Sequence, residues 1–259
     1  MELGLTGKVA MVAAASKGIG FATAKLLREE GCRLSICARN EEALAAAAAA
    51  ISDDTVSYVV DVSSADDLAW WYQQTTQDLG PVDILVTNTG GPPAGNVFDL
   101  TDEQWQQGVD STLMNVVRLS RLVRNDMIAA KWGRIVHITS LVAKEPANLL
   151  PISSTLRAGI AALTRVQANE LAKSGITVNC VLPGHTATDR QTHLAEIRAD
   201  QQGITVEQAT RQQEELIPAG RLAAPEEIAA AIAFLCSQQA AYINGVNLLV
   251  DGGLTKGVA

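Results

Sequence analysis

Short, nearly unbroken apolar runs alternate with longer stretches of helical period along almost the whole chain. Val9 to Ala13, Arg33 to Cys37, Val56 to Val60, Ile84 to Thr87, Arg134 to Thr139, Thr177 to Leu182 and Asn247 to Val250 have the length and continuity of strands covered on both faces. Between them the apolar spacing predicts helices over Ile19 to Glu30, Glu41 to Ile51, Ala65 to Gln77, Thr101 to Ala130, Ser153 to Ser174 and Pro225 to Ser237. Strand and helix alternate without a compositional break, which predicts one doubly wound α/β domain over residues 1–259 with a seven-stranded parallel sheet. The tract Ala43 to Ala50 reads as a structural helix, since alanine is the best helix former and needs only a sheet to lie on. One segment breaks the rhythm. Residues 189–221 are polar and rich in Gln, and they interrupt the path from the sixth strand to the helix at Pro225. An excursion at that edge of a sheet predicts a helical lid over a ligand site, with a solvated helix pair as the alternative.

Composition fits this picture and narrows it. At 259 residues, 47% hydrophobic and 19% charged, the chain can bury a substantial core and is not of disordered composition. Aromatics are only 4%, so the core is built from Ala, Val, Leu and Ile, as close packing of helices on a parallel sheet requires. A net charge of −8 excludes a general attraction to nucleic acid or to anionic lipid. No apolar run approaches the roughly 20 residues that span a bilayer, and the start Met1 to Lys8 has no basic segment followed by an apolar one. A cytoplasmic location is therefore expected. Cys32, Cys37, Cys180 and Cys236 are scattered, which reads as buried free thiols rather than a metal site.

The first strand runs into Ala13-Ala14-Ala15-Ser16-Lys17-Gly18-Ile19-Gly20 and then a helix. Glycines at such a turn let the backbone approach a pyrophosphate, and the helix N-terminus adds unpaired N–H groups and partial positive charge. The second strand ends Cys37-Ala38-Arg39-Asn40. A carboxylate there would bind the ribose hydroxyls of NAD, whereas a guanidinium pairs with a 2′-phosphate. Arg39, with Lys17 in the loop, thus predicts NADP(H) as the cofactor.

These features, with Asp61-Val62, Asn88-Thr89-Gly90, Gly133 to Val136 leading to Ser140, Gly175 to Asn179, Pro183-Gly184 with Thr188, and the end of the chain, resemble the short-chain dehydrogenase/reductase superfamily. The resemblance extends especially to its bacterial 3-oxoacyl-carrier-protein-reductase-like members. The resemblance implies a Rossmann fold, a small-molecule substrate and assembly as a dimer or tetramer. It also implies a cofactor site formed by Ala14, Ser16, Lys17, Gly18, Ile19, Gly20, Arg39, Asn40, Asp61, Val62, Asn88, Thr89, Gly90, Arg157, Pro183, Gly184, Thr186 and Thr188. In that arrangement Asp61 and Val62 flank the adenine, and Thr186 and Thr188 meet the nicotinamide side and the phosphates.

The departures from the family pattern bear on the chemistry. Ala13 and Ala14 stand where the family has Thr and Gly, and Ala14 fits only if that residue keeps an ordinary backbone conformation. The family uses Ser, then Tyr-x-x-x-Lys on the next helix, with an Asn from the helix before. Ser140 matches, but Ser153 takes the tyrosine position, Arg157 the lysine position and Thr112 the asparagine position. Positions 153 and 157 still share one helix face. A serine hydroxyl is a far weaker acid than a phenol, and a guanidinium offers charge and a hydrogen-bonding fork for the ribose but relays no proton. His185, directly after Pro183-Gly184, is a candidate acid or base suited to neutral pH. His137, inside the fifth strand, reads as core.

The expected function is an NADP(H)-dependent oxidoreductase reducing a ketone or aldehyde through an atypical proton relay. Two alternatives belong to other classes. One is a non-redox enzyme on the same scaffold, as in the halohydrin dehalogenases, which use Ser, Tyr and Arg. The other is a catalytically silent nucleotide-binding protein.

Overall fold

The computed structural model describes residues 2–257. The reading of residues 1–259 as one domain also covers Met1, Val258 and Ala259, which lie outside the described residues. The strands are β1 (Val9–Val12), β2 (Arg33–Ala38), β3 (Val56–Val59), β4 (Ile84–Thr87), β5 (Gly133–Ile138), β6 (Ile176–Pro183) and β7 (Asn247–Val250). They pair in parallel in the order β3-β2-β1-β4-β5-β6-β7, so the direction of winding reverses between β1 and β4. A ligand crevice forms at the carboxyl ends of strands at such a switch point.

Nine α-helices complete the fold among the described residues: α1 (Gly18–Glu29), α2 (Glu41–Ile51), α3 (Ala65–Leu79), α4 (Asp102–Gly108), α5 (Asn115–Ala130), α6 (Pro151–Leu171), α7 (Asp189–Gln202), α8 (Val206–Leu216) and α9 (Pro225–Cys236). Their starts follow from local chemistry. Asn40, Ser64, Thr101, Thr188 and Thr205 each accept a hydrogen bond from a backbone N–H of the helix that follows. The alanine tract is α2, which buries Leu44, Ala47 and Ala48 against the sheet and leaves its other face in solvent.

Two apolar layers sandwich the sheet. On one face Ala24, Leu27, Ile228 and Ile232 of α1 and α9 pack over Val12, Ile36 and Val181. On the other, Trp71, Leu119, Val123 and Ala168 of α3, α5 and α6 pack over Met11, Leu85 and Ile135. β1, β4, β5 and β6 are buried throughout, and β2 is buried beyond its first residue, Arg33. β3 and β7 are only partly buried because they form the two edges. The four cysteines are free and buried, and burial pushes the Cys37 thiol up to about 12.

One expectation changes. The single helix over Thr101 to Ala130 is divided by a π-helical turn at Val109–Met114 between α4 and α5. That turn lies against the start of α6, and Gly108 permits the approach, since a Cβ there would lie 2.4 Å from Ile152 Cγ2. The wider turn carries Thr112 into the buried interior, where a regular helix would rotate it elsewhere. The segment over residues 189–221 is a helical hairpin, α7 and α8 packed against each other, with its first helix capped by Thr188 at the end of the β6 loop.

Candidate active site

The loop after β1 has the shape that a pyrophosphate needs. A Cβ at Gly20 would lie 2.5 Å from the Ala14 carbonyl oxygen and 2.8 Å from Asn88 Nδ2, so only glycine lets the helix start close on the loop. Asn88 donates from Nδ2 to the Ala14 carbonyl at 3.2 Å, tying the end of β4 to this turn. α1 begins without a side-chain cap and without an acidic residue in its first turn, leaving its N–H groups and partial positive charge for an anion. Ser16, Lys17, Gly18 and Ile19 carry this turn into α1, and the Thr188 methyl fills the space beside Gly18. These residues fit a dinucleotide's phosphates.

Ala14 corrects an expectation. Its φ is +49°, in the left-handed region, so it does not keep an ordinary backbone conformation and the loop holds it there at a cost of roughly 1–2 kcal/mol. The family-like turn geometry is thus kept in spite of the Cβ.

The other cofactor positions fall into two groups. Arg39 is exposed at the end of β2, and no ion pair engages it among the described residues. Lys17, by contrast, pairs with Asp189 at the start of α7, Nζ to Oδ2 at 2.5 Å, and this bond holds the Asp189 carboxyl below its ordinary range. Asn40 spends its side-chain oxygen capping α2, accepting from the Ala43 N–H at 2.7 Å. Asp61 accepts from the Ser63 N–H and hydroxyl, fixing the turn after β3, and Val62 is buried beside it. At the end of β6, Pro183 and Gly184 lead to Thr186, whose hydroxyl donates to the Gly184 carbonyl. Thr188 donates to the Thr186 carbonyl and caps α7.

The proposed catalytic positions converge only in part. Thr112 and Arg157 line one narrow cleft with Asn88, Thr89 and Asn115. Thr112 Oγ1 and Asn115 Oδ1 are buried there without a hydrogen-bond partner among the described residues. Arg157 is buried on α6. Its Nε donates to Ser153 Oγ and its Nη1 to the Ile138 carbonyl, both at 3.1 Å. Burial pushes its pKa down to about 10, still charged at neutral pH. The expected fork toward the ribose is therefore narrowed to Nη2 and the second N–H of Nη1, because the other two N–H groups serve the protein. Ser140 follows β5 and accepts from the Val142 N–H at 3.3 Å, so its own hydroxyl proton is free to be donated. His185 sits apart. Its Nδ1 meets Gln191 Oε1 of α7 at 3.3 Å, and burial, then the nearby Arg198 charge, keep it neutral below the usual histidine range.

Two residues escaped the sequence reading. Asn115 has a visible signal, an amide in the middle of an amphipathic helix one turn beyond Thr112. Arg190, whose half-buried guanidinium reaches back to the Pro92 carbonyl at 3.0 Å, has none, because a polar helix gives no sign of which arginine turns inward.

A family profile described as Enoyl-(Acyl carrier protein) reductase matches residues 13–255. The chain is 34% identical over 252 residues to the 3-oxoacyl-[acyl-carrier-protein] reductase of Vibrio cholerae, covering 97% of this chain and 99% of that one. It is 35% identical over 254 residues to the monensin polyketide synthase putative ketoacyl reductase of Streptomyces virginiae, covering 96% and 97%. Its fold superposes on L-sorbose reductase from Gluconobacter frateurii, solved with NADPH and L-sorbose, with a TM-score of 0.94, 30% identity and full coverage of both chains. The chain belongs to the short-chain dehydrogenase/reductase family.

Proposed function

We propose that this protein reduces a ketone or aldehyde with NADP(H), using a proton relay built from hydroxyls and a guanidinium in place of a phenol and an amine. When bound, NADP(H) supplies the hydride. The observation that carries the reading is the Arg157 to Ser153 hydrogen bond at 3.1 Å, next to a cleft in which Thr112 and Asn115 present unpartnered buried polar atoms. Arg39 and Lys17 at the cofactor edge favour a 2′-phosphate, and solved relatives such as L-sorbose reductase carry NADPH. Lys17 exchanges Asp189 for the phosphate when the cofactor arrives.

Ser140 donates a hydrogen bond to the substrate oxygen and orients the carbonyl. Ser153 accepts from Arg157, so its proton also points away from the guanidinium and toward the oxygen that gains charge. The nearby positive charge favours the serine alkoxide more than water does, though far less than a phenol's own acidity would require. The final proton comes from water through Ser153. Replacing a positioned acid by this arrangement costs roughly 10² to 10⁴ in rate, about 3–5 kcal/mol. Holding donor and acceptor together is worth on the order of 7–11 kcal/mol and does not need the phenol. The helical hairpin α7–α8 acts as the lid over this site, and assembly as a dimer or tetramer belongs to the same reading.

Calorimetric titration with NADPH and NADH tests the cofactor assignment. Tighter binding of NADPH is expected; absence of binding at millimolar cofactor would remove the redox reading and leave a non-redox enzyme on this scaffold.

A further inference from the structure

We propose that Asp189 and Arg190, the first two residues of α7, strap the helical hairpin across the cofactor crevice: the Lys17–Asp189 ion pair is a latch that the phosphate of an arriving NADP(H) opens, and the Arg190 contact is the hinge that holds. This rests on the NADP(H) reading for what opens the latch, but not for the strap itself.

The crevice lies at the carboxyl ends of β1 and β4, where the winding of the sheet reverses. Two consecutive side chains of α7 reach to opposite sides of it. Asp189 pairs through Oδ2 with Lys17 Nζ in the loop after β1, at 2.5 Å. Arg190 donates from Nη2 to the Pro92 carbonyl in the loop after β4 at 3.0 Å, and its guanidinium packs over Gly91, where a Cβ would lie 3.4 Å from Nε. Thr188, which caps the helix, sets its methyl beside Gly18 of the phosphate turn. Residues 188–190 thereby tie together the two loops that a dinucleotide lies between as it runs from the Gly18–Gly20 turn to the Asn88–Gly90 stretch. The strap has to yield at one end for the cofactor to enter.

The two ends differ in what releases them. The Lys17 and Asp189 side chains are 70% and 74% exposed, so their pair is screened by salt and open to competition from another anion. A phosphate that takes Lys17 replaces one charge-assisted bond with another, and its charge then repels the Asp189 carboxylate. Asp189 lines a cavity of about 270 Å³ with Thr192 of α7, Thr210 of α8 and Leu222, which gives the released carboxylate room to turn away. Arg190 is half-buried, and its acceptor is a neutral carbonyl, so salt has no ion pair to screen there.

The test uses the full chain. Hydrogen exchange of α7 is followed without cofactor, and NADPH association by stopped-flow fluorescence, each in about 0.01 M and about 1 M NaCl, where the screening length falls from roughly 30 to 3 Å. Lys17→Gln should speed exchange of α7 by about two- to fivefold in low salt, the size of an exposed ion pair. Lys17 lies outside α7, so the change does not act through that helix's own dipole. Asp189→Asn should do the same, the double variant should add nothing, and high salt should erase the difference. Asp189→Asn should also speed NADPH association by a similar factor in low salt. Arg190→Ala should loosen α7 equally at both salt concentrations. Exchange of α7 that ignores Lys17→Gln overturns the latch, as do additive effects in the double variant; a salt-dependent effect of Arg190→Ala overturns the hinge. NADPH that associates at one rate with the parent and Asp189→Asn sinks the latch alone. Exchange that responds as expected in a protein that binds no NADPH sinks the cofactor reading alone.

Discussion

Arg157 and Ser153 stand one helical turn apart on α6, and the arginine donates to the serine hydroxyl at 3.1 Å while also donating to the Ile138 carbonyl. One buried cation thereby holds the Ser153 hydroxyl and braces it to the end of β5. The guanidinium is charged and desolvated, yet no carboxylate is spent on it.

That last point sets the outcome of Arg157→Met. Removing one half of a buried ion pair is costly because the partner charge is stranded, but here no partner charge exists. Thermal stability should therefore fall only by the roughly 1–3 kcal/mol of leaving the Ile138 carbonyl and the Ser153 hydroxyl without their donor, while NADPH affinity and reductase activity fall by at least about tenfold, as loss of a charge-assisted contact requires. Paired measurements of Tm and NADPH binding check this. A large loss of stability would show that Arg157 is a structural brace first.

Arg39→Asp should reverse the cofactor preference. The exposed guanidinium is exchanged for a carboxylate suited to ribose hydroxyls, so the ratio of NADPH to NADH affinity should drop by about ten- to a hundredfold. Steady-state KM values for both cofactors provide the readout.

Ala14→Gly should stabilise the protein. It relieves roughly 1–2 kcal/mol of left-handed strain, against about 0.5–1 kcal/mol for the freer unfolded chain. Tm should rise by about 1–3 °C for a chain of this size. Ala14→Val, with a branched Cβ at φ +49°, should lower it.

His137 should make stability depend on pH. It is buried between Thr87 and Gln167, and burial pushes its pKa down to about 4. Below the ordinary histidine value the unfolded chain takes up a proton that the folded protein refuses. Stability is thus full above about pH 6.5 and falls as pH drops toward 4, by up to about 3 kcal/mol from this residue. Urea midpoints measured from pH 4 to 7 should show that slope, and His137→Gln should flatten it.

The fold was legible because parallel strands covered on both faces are predominantly apolar along their length, and β1, β4, β5 and β6 are buried from end to end. The phosphate loop was legible for a similar reason: Gly18 and Gly20 stand where strand passes into helix. What stayed hidden depends on contacts that no local pattern encodes. The π-helical turn arises from α6 pressing on Gly108, so Thr101 to Ala130 reads as one helix and Asn115 goes unnoticed. The Lys17 to Asp189 pair and the inward turn of Arg190 join segments far apart in the chain. The contact of His185 with Gln191 of α7 is another that the sequence around Pro183-Gly184 does not announce. The positive φ of Ala14 is set by the loop around it and not by the residue's own preference.

The central claim is hydride transfer to a carbonyl without a phenolic acid, and isotope transfer measures it most directly. Protein incubated with NADPH deuterated at the transferable position and a panel of ketones and keto acids should consume absorbance at 340 nm and deliver deuterium to the carbinol carbon of the product. Turnover of any of these compounds with unchanged absorbance and no deuterium in the product would contradict the claim.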